Sequence, residues 1–476
     1  MSAIAAANQS VMKFTAEELR RRHPRFVYQR YAVERVGNSL KLSFRFRLDP
    51  DIVFTPEIAI ESIDRSRIDA LDAGIVENLA FHLGLIEMLS YWKAACPREV
   101  LIEAGALDDW QIGWWRDLWL RGMGEFFYVN QIDFRSPDYL KITAPVPLNS
   151  AVQRSARPRA RRSLVMVSGG KDSALTLHQL REMGEEFRCL LLNPPPSAIE
   201  VAAIAGCAQP ITVRRTLDPL LLELNRQGYL NGHTPFSALL AILGLTCAEL
   251  FDYDRVVVSN ERSADEGNVR FLGAEINHQY SKTFAFETAM RQYASAHLAP
   301  GISYFSILRP LFEIQVCRLF AACSEYFNAF RSCNRGQREG AWCGHCPKCL
   351  SVFISLSPFL SLDAMRRIFG RDLFEQDDAM ALIRSLLGME GPKPFECVGT
   401  REETLAGLYL SIKRRKARGE PLTPLLAQIE REILAPHHDL GMLSDSILTA
   451  WSDNHYLPPQ YAALLKGQIA ASYDAG

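Results

Sequence analysis

Short apolar runs alternate with longer stretches of helical periodicity from residue 163 to about 260. Leu164–Val167, Arg188–Leu192, Ile211–Arg214 and Arg255–Ser259 have strand length and strand composition, and helical stretches separate most of them. Strands alternating with helices predict an α/β fold built on a parallel sheet. Ser168-Gly169-Gly170-Lys171-Asp172-Ser173 follows the first run as a tight glycine turn. Leu175, Leu177, Leu180 and Met183 then recur at roughly helical spacing, with Gly184 as the stop. Upstream, the runs Arg25–Val36 and Ser39–Arg47 flank Gly37-Asn38, which predicts a hairpin. Its second strand alternates Leu40, Leu42, Phe44 and Phe46 with polar residues, so one face is buried. A helix is expected from about Ile75 to Ala94, with His82 on it as a structural histidine. Most of the tryptophans and phenylalanines of DDWQIGWWRDLWLRGMGEFFYVNQIDF are expected in the core or at an interface. Phe236 to Leu250 reads as a buried helix, with Thr234 as N-cap and Pro235 at the first helical position. Beyond Leu360 the pattern is mostly helical. There GPKPFECVGTREET forms a loop, and Thr400 and Glu403 fit a capping box.

Composition narrows the class. The 476 residues suffice for two or three domains, and 48% hydrophobic with 22% charged residues is ordinary for a soluble globular chain. A formal net charge of -1 argues against a protein that coats nucleic acid. The basic, proline-broken SARPRARRS reads as linker, with a phosphate- or RNA-binding patch as the alternative. Eleven cysteines, an odd number without a small-domain framework, favour reduced thiols and a cytoplasmic location. The N-terminus lacks the charged region of a signal peptide, and no apolar run reaches the ~20 residues of a membrane span. No membrane or nucleic-acid partner is therefore expected, and oligomeric state is not legible.

The glycine turn carries the first chemistry. A strand, a glycine turn and a helix aim backbone N–H groups and a helix dipole at an anion. Glycine lets the backbone approach phosphate oxygens that a Cβ would hold away. Lys171 is followed by Asp172, so this is not a Walker A loop. SGGKDS instead resembles the PP-loop of the ATP pyrophosphatase superfamily, which implies ATP cleaved between the α and β phosphates. Ligands of such sheets bind at the carboxyl ends of the strands. That rim gathers Ser168, Gly169, Gly170, Lys171, Asp172 and Ser173 with Asn193 and Asn260 as the expected nucleotide-binding set.

Two further segments stand out. SNERSADEGNVRFLGAEINHQYSKTFAFE, residues 259–287, is densely polar and lies where binding loops usually sit. Glu261, Asp265 and Glu266 suit Mg²⁺ held against ATP phosphates. Arg262 and Lys282 suit an anionic substrate, while His278 and Lys282 are candidate proton carriers. His233, beside the start of the buried helix, faces the nucleotide or is a turn residue. Farther on, Cys343, Cys346 and Cys349 form a CxxCxxC run with Cys333 one loop earlier. Four thiolates suit a structural tetrahedral Zn²⁺, with an iron–sulfur site or redox cysteines as rivals and His345 as an alternative ligand. Arg309 and Glu313 precede a helix; Arg309 either reaches the site or forms a structural ion pair.

The glycine loop with a distal CxxCxxC is similar to cyano-deazaguanine synthase, a much shorter enzyme. A closer resemblance, covering nearly the whole chain, is to the UDP-N-acetylmuramoyl-L-alanyl-L-glutamate epimerase family. It rests on FHLGLIEMLSYWKA, GMGEFFYVNQIDF, SGGKDS, GHTPFSALLA, SNERSADEGNV, EINHQYSK, FRSCN with WCGHCPKCL, and KPFECVGT. The resemblance implies an ATP- and Mg²⁺-dependent isomerase of peptidoglycan precursor synthesis. It would invert the terminal L-glutamate of UDP-MurNAc-L-Ala-L-Glu through a carboxyl-adenylate, releasing AMP and pyrophosphate. Catalysis is then expected from His278, Lys282, Glu261 and Arg262. Other adenylating synthetases and tRNA-modifying PP-loop enzymes are the alternatives. The expected layout is an α+β N-terminal domain over 1–150, a PP-loop catalytic domain over 151–359 including the cysteine cluster, and a helical region over 360–476.

Overall fold

The computed structural model describes residues 14–63, 66, 72–147, 159–337 and 339–474. Residues 155–158 of SARPRARRS, residues 155–163, lie outside them. The Arg25–Val36 (β1) and Ser39–Leu48 (β2) runs form the expected antiparallel hairpin, with Val36 opposite Ser39. Gly37 takes φ 61°, a left-handed turn conformation that costs glycine little. Leu40, Leu42, Phe44, Phe46 and Leu48 are buried, as their alternation predicts.

Short strands Ile52–Phe54 (β3), Glu57–Ile60 (β4), Glu99–Ile102 (β5) and Lys141–Thr143 (β6) extend this hairpin. The four strands read from the sequence appear as Ser163–Met166 (β7), Phe187–Leu192 (β8), Ile211–Thr216 (β9) and Arg255–Val258 (β10). A small hairpin, Val269–Phe271 (β11) and Ala274–Ile276 (β12), stands apart, and Ser303–Ser306 (β13) closes the series. All but β11 and β12 join one eleven-stranded sheet in the order β13-β10-β7-β8-β9-β4-β2-β1-β5-β6, with β3 beside β2. Neighbours from β13 through β9 pair in parallel, as do β1–β5–β6, and antiparallel pairs lie between. The β4–β9 pair, Glu57 opposite Thr216 through Ile60 opposite Val213, joins strands from either side of the boundary expected at 150 in one sheet.

Side chains alternate across this sheet into two cores. Leu164, Met166, Leu190, Val256 and Tyr304 face one core, while Val165, Cys189, Leu191, Val257 and Phe305 face the other. The first core is covered by helices Ala73–Glu87 (α1), Gly124–Val129 (α2), Phe236–Phe251 (α4) and Phe284–Tyr293 (α5). Against the second pack Lys171–Glu182 (α3), Glu313–Phe320 (α6), Pro347–Leu356 (α7) and Arg401–Ala417 (α8). Burial on both faces explains the unbroken apolar runs of β7 and β10.

Several local expectations hold. His82 is buried in α1 and satisfied by Asn78 O at 2.7 Å and the Tyr293 hydroxyl at 2.9 Å. Trp115, Trp119, Phe126 and Phe127 are core residues. Gly184 adopts φ 63° just beyond α3, and Thr400 with Glu403 forms the capping box of α8. One boundary moves: α4 begins at Phe236 with Pro235, not Thr234, in the N-cap position. Of the basic segment, Arg162 donates to Phe251 O at 3.1 Å and Asp252 O at 2.8 Å, and Arg159 pairs with buried Glu249. Both are therefore joined to the C-terminal end of α4, where a cation opposes the helix dipole.

Candidate active site

Parallel strands β7, β8 and β9 run to one side of β7, and β10 and β13 to the other. The carboxyl ends of β7 and β10 thus flank the point where strand order reverses, the usual ligand crevice of an open α/β sheet. Ser168–Ser173 leaves β7 there, and Ser259-Asn260-Glu261 leaves β10.

The glycine loop is built by close contacts. Gly169 has φ 84°, and a Cβ there would lie 2.5 Å from Ala198 N and 2.6 Å from Ser197 Oγ. Only glycine satisfies both constraints. Gly170 caps α3 with extended backbone and no side-chain hydrogen bond, which leaves the helix N-terminus open to an anion. Arg331 N donates to Gly169 O at 2.8 Å and Gln337 Nε2 to Ser168 O at 3.1 Å, so the segment leading to Cys333 braces the turn. Ser173 Oγ donates to Gly170 O at 3.0 Å.

Lys171 lies beneath the loop rather than along it. Its side chain is fully buried, with Nζ 2.5 Å from Asp172 Oδ1 and 3.4 Å from Glu313 Oε1. Those two carboxylates outweigh burial and hold the ammonium well above its usual range. Asp172 is in turn drawn below its ordinary pKa: burial pushes it up, but Lys171, Lys348 and Lys282 prevail. Glu313 begins α6 as expected, and its N–H accepts support from Ser263, donating to Oγ at 2.8 Å.

Glu261 is buried on the opposite lip. Burial and the nearby Asp172 and Glu313 push its carboxyl up to about 7, against the pull of Lys282 and Lys171. Arg309 fixes this lip: Nε donates to Glu287 Oε2 at 3.1 Å, Nη1 to Glu261 O at 3.0 Å, and Nη2 to Lys282 O. It is a structural ion pair that also positions two residues of the crevice. Arg262 stacks over Phe312, 4.4 Å from the ring centroid. Ser306 Oγ holds Asn260 O at 2.6 Å. Asn193, at φ 43°, exchanges two side-chain hydrogen bonds with the backbone of Arg215 and so ties β8 to β9.

Glu261, Asp265 and Glu266 do not converge as one cation site. Asp265 caps Phe284 N at 2.9 Å, and Glu266 pairs with Lys393 Nζ at 2.8 Å.

A second cluster adjoins the lip; sequence reasoning singled out its Lys282, His278 and His233 but missed Glu125 and Cys397. Lys282 Nζ lies 3.2 Å from Cys397 Sγ. His278 lies beside Cys397 and pairs through Nδ1 with Glu125 of α2. His233 sits 3.7 Å from the same Glu125 carboxylate, its ring centroid 4.2 Å from that of His278. All five residues are half-buried. Burial would lower His278, but Cys397 and Glu125 push it up to about 9. Burial would raise Cys397, yet Lys282, His278 and Lys348 bring it down to about 5. His233, by contrast, is held well below its usual value by burial and by His278, Lys93 and Lys282. Glu125, His233 and His278 also bring their ligand atoms within 4.8 Å of one another, with the Lys282 ammonium close to His278 through Cys397. Cys397 carries no motif of its own; the only hint was its place in KPFECVGT.

Cys333, Cys343, Cys346 and Cys349 bring their sulfurs within 4.8 Å of one another. Adjacent pairs lie at 3.4, 3.7 and 4.0 Å, close to the roughly 3.8 Å expected between thiolates on one tetrahedral zinc. The donor set therefore fits Zn²⁺ as a closed, structural site. His345 is exposed and instead accepts from Arg371 Nη2 at 2.8 Å.

The fold and crevice define an α/β protein with a glycine loop at its topological switch point, a cluster of histidine, lysine, glutamate and cysteine side chains beside it and four clustered cysteines behind. Family models described as the MurL N-terminal domain and the MurL C-terminal domain match residues 17–307 and 329–439. The chain belongs to the MurL family. Relatives named UDP-N-acetyl-alpha-D-muramoyl-L-alanyl-L-glutamate epimerase include one from Micromonospora sp., 34% identical over 80% of this chain and 84% of that protein. One from Xanthomonas oryzae pv. oryzae is 33% identical over 91% of this chain and 95% of its own length. One from Salinispora tropica is 34% identical over 72% and 75%. Among the described residues no helix is long and apolar enough to cross a membrane.

Proposed function

We propose that this chain is an ATP-dependent epimerase that inverts the terminal L-glutamate of UDP-MurNAc-L-Ala-L-Glu, a peptidoglycan precursor, to D-glutamate. The observation that carries the reading is the junction, at one switch-point crevice, of an open helix N-terminus with a cluster of proton carriers. The names of relatives spanning nearly the whole chain support the same substrate.

The chemistry accounts for the use of ATP. An α-proton beside an ionised carboxylate is hard to remove, because the carbanion forms next to existing negative charge. Attack of that carboxylate on the α-phosphorus expels pyrophosphate and leaves an acyl-adenylate, whose enolate is delocalised. The Ser168–Ser173 loop and the open end of α3 bind the phosphates. Mg²⁺ accompanies the nucleotide and screens its charge. Arg262 holds anionic substrate groups, and Glu261 on one side and the cluster containing His278 and Lys282 on the other exchange protons at Cα. Water then releases AMP and the inverted glutamate. The four cysteines would hold a structural zinc, and the segment that carries Cys333 braces the loop from behind.

Incubation with UDP-MurNAc-L-Ala-L-Glu, Mg²⁺ and ATP in D₂O should yield the D-Glu epimer carrying deuterium at Cα, with AMP and pyrophosphate. Formation of ADP, or AMP without deuterium at Cα, would overturn the reading, the second result pointing to a ligase.

A further inference from the structure

The cluster around Cys397 deepens the proposed epimerisation, on which this inference rests. We propose that Cys397 is one of the two groups that carry a proton to and from the glutamyl Cα, with Lys282 and His278 holding its sulfur as the thiolate.

The geometry supports this in three ways. Cys397 is half-buried and so reachable, whereas Cys247 and Cys317 are buried in α4 and α6, where burial pushes their thiols up. Its sulfur faces two cationic donors, Lys282 Nζ at 3.2 Å and His278, the arrangement that stabilises a thiolate. Its position is over-determined. Lys393 pairs with Glu266, Asn268 Nδ2 donates to Pro394 O at 2.7 Å, Phe395 packs 5.4 Å from Tyr128, and the Lys348 ammonium binds Cys397 O. These contacts strap the 393–397 loop over the 259–287 rim and against α2. A merely structural cysteine requires no such cationic setting.

The step balances without an added reagent. The thiolate forms an S–H bond with the α-hydrogen, and the C–H electron pair enters the enolate of the acyl-adenylate. A proton arrives on the opposite face from Glu261, which is then ionised. The thiol returns its proton to solvent through His278 and Glu125, Glu261 is reprotonated from solvent, and hydrolysis completes the cycle. In the reverse direction the two groups exchange roles.

Two substitutions, Cys397→Ser and Cys397→Ala, test the assignment, with folding checked by melting temperature. With wild-type enzyme, ATP-dependent deuterium uptake at Cα must first be seen; its absence sinks the parent reading rather than this one. Given that uptake, both variants should lose it by about 10²–10⁴-fold while retaining ATP–pyrophosphate exchange driven by the dipeptide substrate. Uptake within threefold of wild type in either folded variant overturns the role of Cys397. So does an acyl-enzyme adduct on Cys397 in the intact mass of wild-type protein, which would make the thiol a nucleophile. The pH profile of wild type serves even if both variants misfold. The thiolate–imidazolium pair, facing Lys282, Lys348, Glu125 and His233, persists between about pH 5 and about pH 9. Cα exchange should therefore fall below about pH 5, as Cys397 takes up a proton, and above about pH 7, as Glu261 loses the proton it must deliver; ATP–pyrophosphate exchange should lack the acid limb, and identical profiles for the two reactions overturn the proposal.

Discussion

A methyl group on Gly169 would meet the backbone of Ala198 at 2.5 Å while forcing an L-residue into φ 84°. Gly169→Ala should thus displace the loop from the helix that begins at Pro196 and abolish ATP–pyrophosphate exchange, with a fall in melting temperature of several degrees as a second readout. Arg309 is a different kind of residue, fully buried against Glu287 and holding the backbone oxygens of Glu261 and Lys282. Removing one partner of a buried pair leaves an uncompensated charge, so Arg309→Ala should cost about 3–5 kcal/mol in urea unfolding. Glu261 gives a pH signature. Because the folded state raises its pKa to about 7, the folded chain holds the proton more tightly than the unfolded chain does. That contribution is full below the usual carboxylate pKa and is lost as pH rises through 7. Glu261→Gln should flatten the fall of melting temperature between about pH 4.5 and pH 7; an unchanged slope would count against it. Some of this was legible in the sequence. The two glycines and the polar rim announce themselves because their chemistry is local. The burial of Lys171 does not, since it depends on Glu313 from a separate helix. Nor do Glu125 and Cys397, which meet His278 from segments on either side of it in sequence.

At the scale of elements, the hairpin, the β7–loop–α3 unit and the α8 cap could be read directly, because alternation, glycine turns and capping boxes are short-range signals. β4 and β13 could not. Each is four residues long; β13 is a strand only because distant β10 supplies its ladder, and β4 lies between β2 and the distant β9. Glu403 shows how such elements are joined. One carboxylate accepts from Thr400 N at 2.7 Å to cap α8 and from Ile314 N at 2.9 Å near the start of α6. Glu403→Ala should lower stability by about 1–3 kcal/mol, measured by chemical denaturation. The cysteine cage has a similar reach, since Arg331 and Ser332, adjoining Cys333, contact the glycine loop. Purified protein should hold one zinc per chain by elemental analysis, and chelation should weaken ATP binding along with thermal stability.

Over the whole molecule, the β4–β9 ladder and a core shared by residues from Leu19 to Tyr304 join the N-terminal strands to the parallel sheet. Thermal or urea unfolding should accordingly follow one transition, and a fragment beginning at residue 151 should fail to fold alone, as circular dichroism would reveal. The same far-flung construction governs how function arises during synthesis. Cys397, Lys282, His278 and Glu125 come together only when the 393–397 loop is strapped in place. A chain still emerging from the ribosome carries the glycine loop long before it carries this thiol, and contacts so distant in sequence form late. The nascent protein thus lacks part of this cluster for most of its translation, and Cys397 meets Lys282 only once the surrounding fold can shelter it.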